Sequence, residues 1–437
     1  MRVVAAGLSF REAPLAVREA AAVGAQASRD LLRYLVGHCD VSGAAVLSTC
    51  NRTELYLDCA DDVAAGITAR IGQVLDPIGA RGVSEHLNTR LDGAAIEHVL
   101  RVASGLESMV VGEAQVLGQL KDAHQFARET GTLSARLDFV LRRAISVAKL
   151  VHTHTQLGRQ AGNLSEAAVD CAQAAVGSLE GSGVLLIGAG EVGELAAGHL
   201  AAGGARLLVT SRADSKERLA AAFEAAVIEP DRIVESSERF DVIIAATTSP
   251  DVVLDAQTVV AIQAARRGRP LCIVDLAVPR DVDPLAAAVA GVRLIDIDEV
   301  GQRARRVAPR PADAVSAAEQ VIAVELSRTT RVLAQRDASA PAIAALTARA
   351  EQIRAREVER TLARLPDLGA EARERIEALS LSLVRKLLHG PVTHLRESAD
   401  DPTAALLLRE AFGLDDLEIE ARRAEIGAGE ERAGTRR

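Results

Sequence analysis

The chain of 437 residues carries 51 Lys and Arg against 60 Asp and Glu, a formal charge of −9, with 49% hydrophobic and only 2% aromatic residues. That balance argues against a protein that coats nucleic acid by bulk charge, leaves room for a local basic face, and assigns the cores to Ala, Leu, Val and Ile. The length accommodates about two to four domains. Cys39, Cys50, Cys59, Cys171 and Cys272 form no CxxC pair and have no histidine at ligand spacing, which argues against a disulfide framework or zinc site and for reduced thiols in the cytoplasm.

The opening Met1–Leu8 is too short and too soon interrupted for a signal peptide, and no later apolar run reaches the ~18–20 residues of a membrane span. Val3–Leu8 predicts a strand, Ala27–Val36 a helix, and Ala44–Thr49 and Glu54–Cys59 two strands flanking Cys50. The apolar entry Ala44-Ala45-Val46-Leu47 breaks into the polar run Ser48-Thr49-Cys50-Asn51-Arg52-Thr53-Glu54 before Leu55-Tyr56-Leu57 resumes. A thiol at such a break, with a fixed cation two residues on, suits covalent catalysis on an acyl group, because thiolates are strong nucleophiles. A small buried Cys at a strand end is the alternative. Ala94–Ala103 has helical spacing, Met109–Glu129 follows with Gly112 and Gly118, and Leu137–His152 is an amphipathic helix with Arg142, Arg143 and Lys149 on its polar side. This first region reads as α+β.

From Asn163 to Asp298 the texture changes. Val184–Ile187, Arg206–Val209, Val242–Ala245, Leu271–Val274 and Arg293–Ile295 are short apolar runs separated by helical segments, the pattern of a parallel sheet with crossover helices. Gly183-Val184-Leu185-Leu186-Ile187-Gly188-Ala189-Gly190-Glu191-Val192-Gly193 reads as strand, glycine-rich turn and helix start, a dinucleotide loop with the pyrophosphate on the helix N-terminus. At the end of the second strand, where an acidic residue would hold a ribose 2′-hydroxyl, the chain offers Val209-Thr210-Ser211-Arg212 and then Lys216. Two cations and two hydroxyls suit a 2′-phosphate, so NADPH is expected over NADH.

Beyond Asp298 no strand is expected. Ala312–Gln335 predicts one long helix, Pro341 a break, Ile343–Leu365 a second helix and Glu371–His389 a third, stopped by Gly390-Pro391, with Pro402–Phe412 a fourth. Their apolar stripe, as in Ile376, Leu379, Leu383, Leu387 and Leu388, has nothing else in the chain to pack on and predicts a bundle closed by a second copy. Ala421–Arg437, rich in Arg, Glu and Gly, predicts a disordered tail.

A thiol plus a separate NADPH domain suggests that an acyl group taken up on sulfur is reduced to an aldehyde. The residues that carry this resemble one family. Thr49-Cys50-Asn51-Arg52-Thr53-Glu54, the run from His98 through Ser104-Gly105-Leu106-Glu107-Ser108-Met109 to Gly112-Glu113-Ala114-Gln115-Val116-Leu117-Gly118-Gln119, Asp275-Leu276-Ala277-Val278-Pro279-Arg280-Asp281 and the late Lys386-Leu387-Leu388-His389 are similar to glutamyl-tRNA reductases, in order and over nearly the whole chain.

The resemblance implies an α/β multidomain architecture: an α+β catalytic domain over 1–155, a Rossmann-type NADPH domain over 156–300, and a long linking helix with an all-α dimerisation domain over 301–420, followed by the tail at 421–437. It implies reduction of glutamate esterified to its tRNA to glutamate-1-semialdehyde, the entry step of five-carbon 5-aminolevulinate and tetrapyrrole synthesis. Cys50 would be the nucleophile, and Thr49, Asn51, Arg52, Ser108, Glu113, Ala114, Gln115 and Gln119 the substrate contacts, Arg52 suiting a carboxylate and Glu113 an α-ammonium. Gly188, Ala189, Gly190, Glu191, Val192, Gly193, Ser211, Arg212 and Lys216 would hold the coenzyme. His98 alone reads as a satisfied helix histidine; the surrounding motif favours proton transfer or orientation of the site. A homodimer through the C-terminal helices, glutamyl-tRNA as partner, and glutamate-1-semialdehyde aminotransferase as a downstream partner are implied in the same way. Arg142, Arg143, Lys149 or the helical-domain arginines are the candidate tRNA contacts. The chain departs from the family pattern at Phe10, His152, His154, Glu166 and Arg385. Readings left open are another NADPH oxidoreductase acting on a free small acid and a non-catalytic paralogue.

Overall fold

Alternation of apolar residues with a buried polar set builds the first sheet. In the computed structural model, which describes residues 2–75, 82–155, 157, 164–211, 215–307, 312–397, 407 and 410–412 (only the backbone at 65, 307, 396 and 397), the chain divides into two compact units, Met1–Ser327 and Arg328–Arg437.

The first unit opens with β1 (Arg2–Ser9), the short α1 (Leu15–Ala20), α2 (Ala25–His38), and the hairpin β2 (Val41–Thr49) and β3 (Arg52–Cys59). Next come α3 (Asp61–Leu75), α4 (Val83–His86), β4 (Asn88–Leu91), α5 (Asp92–Ala103), α6 (Gln115–Thr130) and α7 (Ala135–His154). The strands form an antiparallel sheet in the order β2-β3-β1-β4, and every residue of β3 is buried. Register places Thr49 opposite Arg52, so Cys50 and Asn51 are the whole turn of the β2–β3 hairpin. Within Met109–Glu129 the helix begins only at Gln115, because Gly105 and Gly112, both at positive φ, hold Ser104–Ala114 as a loop. Strand β4 and helix α3 were not among the expected elements, although Val63, Ile67, Ile71 and Leu75 recur at helical spacing and are buried.

The second half of this unit runs α8 (Leu164–Val176), β5 (Gly183–Ile187), α9 (Glu191–Ala202), β6 (Arg206–Thr210), α10 (Ser215–Phe223), β7 (Ala226–Val227), β8 (Val242–Ala245), α11 (Ala256–Ala265), β9 (Leu271–Asp275), β10 (Val292–Ile295) and α12 (Ile297–Val307). All pairs in its six-stranded sheet are parallel, in the order β10-β9-β8-β5-β6-β7. The chain winds outward from β5 in one direction and returns to β8 for the other, so the switch point lies between β5 and β8. Two apolar clusters fill its faces, and one of them also takes in Leu15, Met109 and Val110 of the preceding domain.

Two expectations about the C-terminal helices need correction. The helix from Ala312 runs unbroken through Pro341 to Ala363 as α13, and α14 (Ala370–Glu397) runs through Gly390 and Pro391. A proline inside a helix costs about 3 kcal/mol. Here both prolines lie beside residues that pack together: Ala342, Leu346 and Leu395 are buried, with Ile343, Leu388 and Val392 against them. Alanine-rich flanks and that packing offset the missing donors. The fourth helix expected at Pro402–Phe412 lies mostly, and the tail from Ala421 wholly, outside the described residues.

Candidate active site

Four hydrogen bonds fix the Cys50 turn. The Thr49 hydroxyl accepts from the backbone N–H groups of Asn51 and Arg52, both at 3.2 Å, the Phe10 N–H donates to the Asn51 carbonyl at 2.9 Å, and Arg18 Nη1 donates to the Cys50 carbonyl at 2.8 Å. Thr49 therefore shapes the turn whatever else it touches. Cys50 packs against the same core cluster that contains Ala189 of the glycine loop. Part of the residue's surface is exposed, but its thiol is surrounded. Burial and the charge of Glu113 push it up to about 12, against the opposing pull of Arg18 and Arg52.

Behind the turn, β3 presents Arg52, Glu54 and Tyr56 on one face, where successive side chains point alternately. Arg52 Nη1 pairs with Glu54 Oε1 at 2.7 Å, the Tyr56 hydroxyl donates to Oε2 at 2.7 Å, and His98 Nε2 lies 3.0 Å from both carboxylate oxygens. Burial would raise the Glu54 carboxyl, yet Arg52 and His98 overcome it and hold Glu54 well below the usual carboxylate range. Arg52 is 2% exposed, and its second Nη donates to the Glu107 carbonyl, so the fork expected to meet substrate is engaged within the protein. The Glu107 carboxylate is held in turn by Arg101 and Arg11, each at 2.7 Å. Arg52, Glu54, His98 and Glu107 border a polar cavity of about 40 Å³, roughly the room of one water.

On the other side of the turn, Ser108 and Glu113 are buried in the loop before α6, and Gln115 and Gln119 stand one turn apart at the start of that helix, with Ala114 exposed at its cap. Asn51 Oδ1 and Gln115 Nε2 are buried without partners among the described residues, the condition of polar groups awaiting a ligand. Glu113 is pushed up to about 7 by burial and by Glu191 at the head of α9, so this loop faces the dinucleotide loop.

The dinucleotide loop has the expected form. Gly188 adopts φ +103 with its missing Cβ 2.5 Å from the Ala246 carbonyl, and a Cβ on Gly193 would stand 2.6 Å from the Gly188 carbonyl. A Cβ on Gly190 would meet nothing within 4 Å, and Gly190 caps α9 without a side-chain bond. Open space above unsatisfied N–H groups at a helix N-terminus fits a pyrophosphate. Ala189 is buried, Val192 half-buried with its carbonyl bonded by the Ser165 hydroxyl, and Glu191 exposed. Ser211 is half-buried, and Lys216 is paired with Glu229 at 2.9 Å. Arg212 lies outside the described residues.

Glu54, Arg18 and Glu107 were assigned no role by sequence reasoning. The signal for Glu54 was present: Arg52, Glu54, Tyr56 and Asp58 repeat polar groups every second residue of a strand. Of the tRNA candidates, Arg142 is paired with Asp138 and Arg143 with the buried Glu325. The Phe10 ring lies beneath two guanidinium groups, Arg11 and Arg305, and burial pushes the half-buried His152 down.

Three family models match in succession: the N-terminal domain of glutamyl-tRNAGlu reductase over residues 6–155, shikimate/quinate 5-dehydrogenase over 170–303, and the dimerisation domain of glutamyl-tRNAGlu reductase over 317–414. The middle domain is thus of the kind that holds a nicotinamide cofactor. The glutamyl-tRNA reductase of Pelobacter propionicus is 37% identical over 96% of this chain and 99% of its own, and that of Myxococcus xanthus 38% identical over 96% and 95%. Among solved structures, the glutamyl-tRNA reductase of Methanopyrus kandleri covers 94% of this chain and 99% of its own at 30% identity, with a TM-score of 0.46.

Proposed function

Since the chain belongs to the glutamyl-tRNA reductase family, we propose that it reduces the glutamyl group of glutamyl-tRNA to glutamate-1-semialdehyde with NADPH, the first step of 5-aminolevulinate and tetrapyrrole synthesis. The observation that carries this reading is one thiol, held at a two-residue hairpin turn between the cations Arg18 and Arg52, packed into the same cluster as the dinucleotide loop.

Cys50 Sγ attacks the ester carbonyl, a C–S bond forms, the C–O bond to the tRNA ribose breaks, and the thiol proton passes to the released hydroxyl. Gly188–Gly193 would hold NADPH, which when bound would supply the hydride that reduces the thioester carbon. The C–S bond then breaks, the aldehyde leaves, and the sulfur recovers a proton. Arg18 and Arg52 favour the charged sulfur in both directions; Glu113, half-protonated near neutral pH, opposes it until an α-ammonium group pairs with it. Asn51 and Gln115 offer unpaired polar atoms to the glutamyl group, with Thr49, Ser108, Ala114 and Gln119 around it. His98, bonded to Glu54, orients Arg52 through that carboxylate. Ser211, Arg212 and Lys216 favour a 2′-phosphate, Lys216 exchanging Glu229 for it, and NADPH should bind more tightly than NADH.

In the second unit Ile353, Leu379, Leu383 and Leu387 are exposed along an apolar groove of about 500 Å³ between α13 and α14. We assign it to a second copy of the chain; Leu387→Glu should convert dimer to monomer in sedimentation. No described helix is long and apolar enough to cross a membrane, and with reduced thiols a cytoplasmic enzyme is the reading. The reactive aldehyde product suits direct transfer to an aminotransferase, testable by co-sedimentation.

The deciding experiment is a pulse of glutamyl-tRNA without NADPH, read by intact mass. A glutamyl adduct on Cys50, converted to aldehyde when NADPH is added and absent in Cys50→Ser, supports the proposal. Turnover of free glutamate without tRNA would overturn it.

A further inference from the structure

Helix α1 has only six residues, yet two adjacent side chains on it grip the dinucleotide domain. Arg18 is 2% exposed and divides its guanidinium. One Nη donates to the Cys50 carbonyl at 2.8 Å, and the other to the Asp298 carboxylate in the first turn of α12. Its Nε is buried without a partner among the described residues, so these two bonds carry its whole compensation. Beside it, the Glu19 carboxylate accepts from the Arg280 backbone N–H at 2.9 Å and from Nε at 2.6 Å.

The two pairs have opposite polarity, Arg to Asp and Glu to Arg. Arrangements that set like charges together are disfavoured, so the clasp favours one docking register. A guanidinium is planar and rigid, so its two arms hold the Cys50 turn and the first turn of α12 at a fixed separation. The arm bonded to Cys50 holds the turn that carries the thiol.

We infer that Arg18 is a positioning residue that registers the Cys50 turn against the dinucleotide domain through Asp298. The inference rests on the proposed function and divides its two steps. Thioester formation uses groups of residues 1–155 and the Arg18–Cys50 arm alone. Reduction needs the carbon on Cys50 registered against a coenzyme held by the other domain, and so also needs the Asp298 arm. A misplacement of about 1 Å costs about 10²-fold in rate.

The test uses the full-length protein, Asp298→Asn and Asp298→Glu. The Asp298 side chain is one-third exposed (34%), so the asparagine isostere keeps the packing. Adduct formation on Cys50 from glutamyl-tRNA is timed by intact mass without coenzyme. The isolated adduct is then mixed with saturating NADPH in a single turnover. Asp298→Asn should form the adduct within about twofold of the unaltered rate and reduce it about 10²-fold more slowly, with Asp298→Glu recovering most of that loss. Reduction by Asp298→Asn at the unaltered rate, or an equal loss in both steps, overturns that positioning role. Absence of any adduct in the unaltered protein overturns the proposed function itself, an outcome distinct from a failure confined to Asp298.

Discussion

The four-stranded antiparallel sheet and the six-stranded parallel sheet both bury their central strands, but with different contents. Strand β5 buries Gly183-Val184-Leu185-Leu186-Ile187, whereas β3 buries Arg52, Thr53, Glu54 and Asp58 among its apolar residues. In the parallel sheet the proposed ligand site is made of backbone: glycines, a helix N-terminus and carbonyls at the switch point. In the antiparallel sheet it is made of side chains whose charges compensate one another. A backbone site tolerates almost any core that holds the loop; a side-chain site fails as a set when one member is removed.

That contrast can be tested first where the expected effect is largest. Glu54→Ala leaves Arg52 and His98 buried without their shared carboxylate and should cost about 3–5 kcal/mol in chemical unfolding. A loss below about 1 kcal/mol would mean the network is not the unit described. In the other domain, Gly193→Ala forces a methyl against the Gly188 carbonyl and should cost about 1–3 kcal/mol. Gly190→Ala, with open space at the same position of its own backbone, should leave stability within about 0.5 kcal/mol. It should nevertheless weaken NADPH binding about tenfold, equivalent to about 1.4 kcal/mol. Equal effects of the two glycine substitutions on melting would break the distinction between packing and ligand approach.

The carboxylates sharpen the comparison through pH. Glu54 is held below its ordinary value, so its stabilisation is complete above the normal carboxylate range and is lost only in strong acid. Glu113 and Asp275 are both raised to about 7, chiefly by burial. Between their unfolded values, about 4, and 7 the folded state binds more protons than the unfolded state, so their contribution falls as pH rises. Glu113→Gln should reduce the stability difference between pH 5 and pH 8 by about 1–3 kcal/mol. The smallest expected effect is on sulfur: removing the Glu113 charge should lower the Cys50 thiol and speed its alkylation at pH 8 about two- to fivefold, on the order of half a pKa unit. Unchanged alkylation would remove Glu113 from the thiol's surroundings.

Much of this could be read without coordinates. The strands around Cys50, the five main strands of the parallel sheet and the glycine loop followed from apolar runs of characteristic length and from glycines at fixed spacing, all of them local signals. Helix termination was misread at Pro341 and Pro391, because a local breaker was set against packing between residues as far apart as Leu346 and Leu395. Arg52 was read as suiting a substrate carboxylate; the structure pairs it with Glu54, a carboxylate in the same short run, and with the Glu107 carbonyl, which no local interval reports.

By itself, the order of residues determined which groups are present and which turn carries the thiol, since hairpins, helices and glycine loops are chosen by interactions within a few residues. Only the tertiary structure decided how those groups are paired. Arg18 meets Asp298 across 280 positions of the chain, and a buried charge takes its partner from whatever the fold brings within hydrogen-bond reach, a distance that no sequence interval encodes.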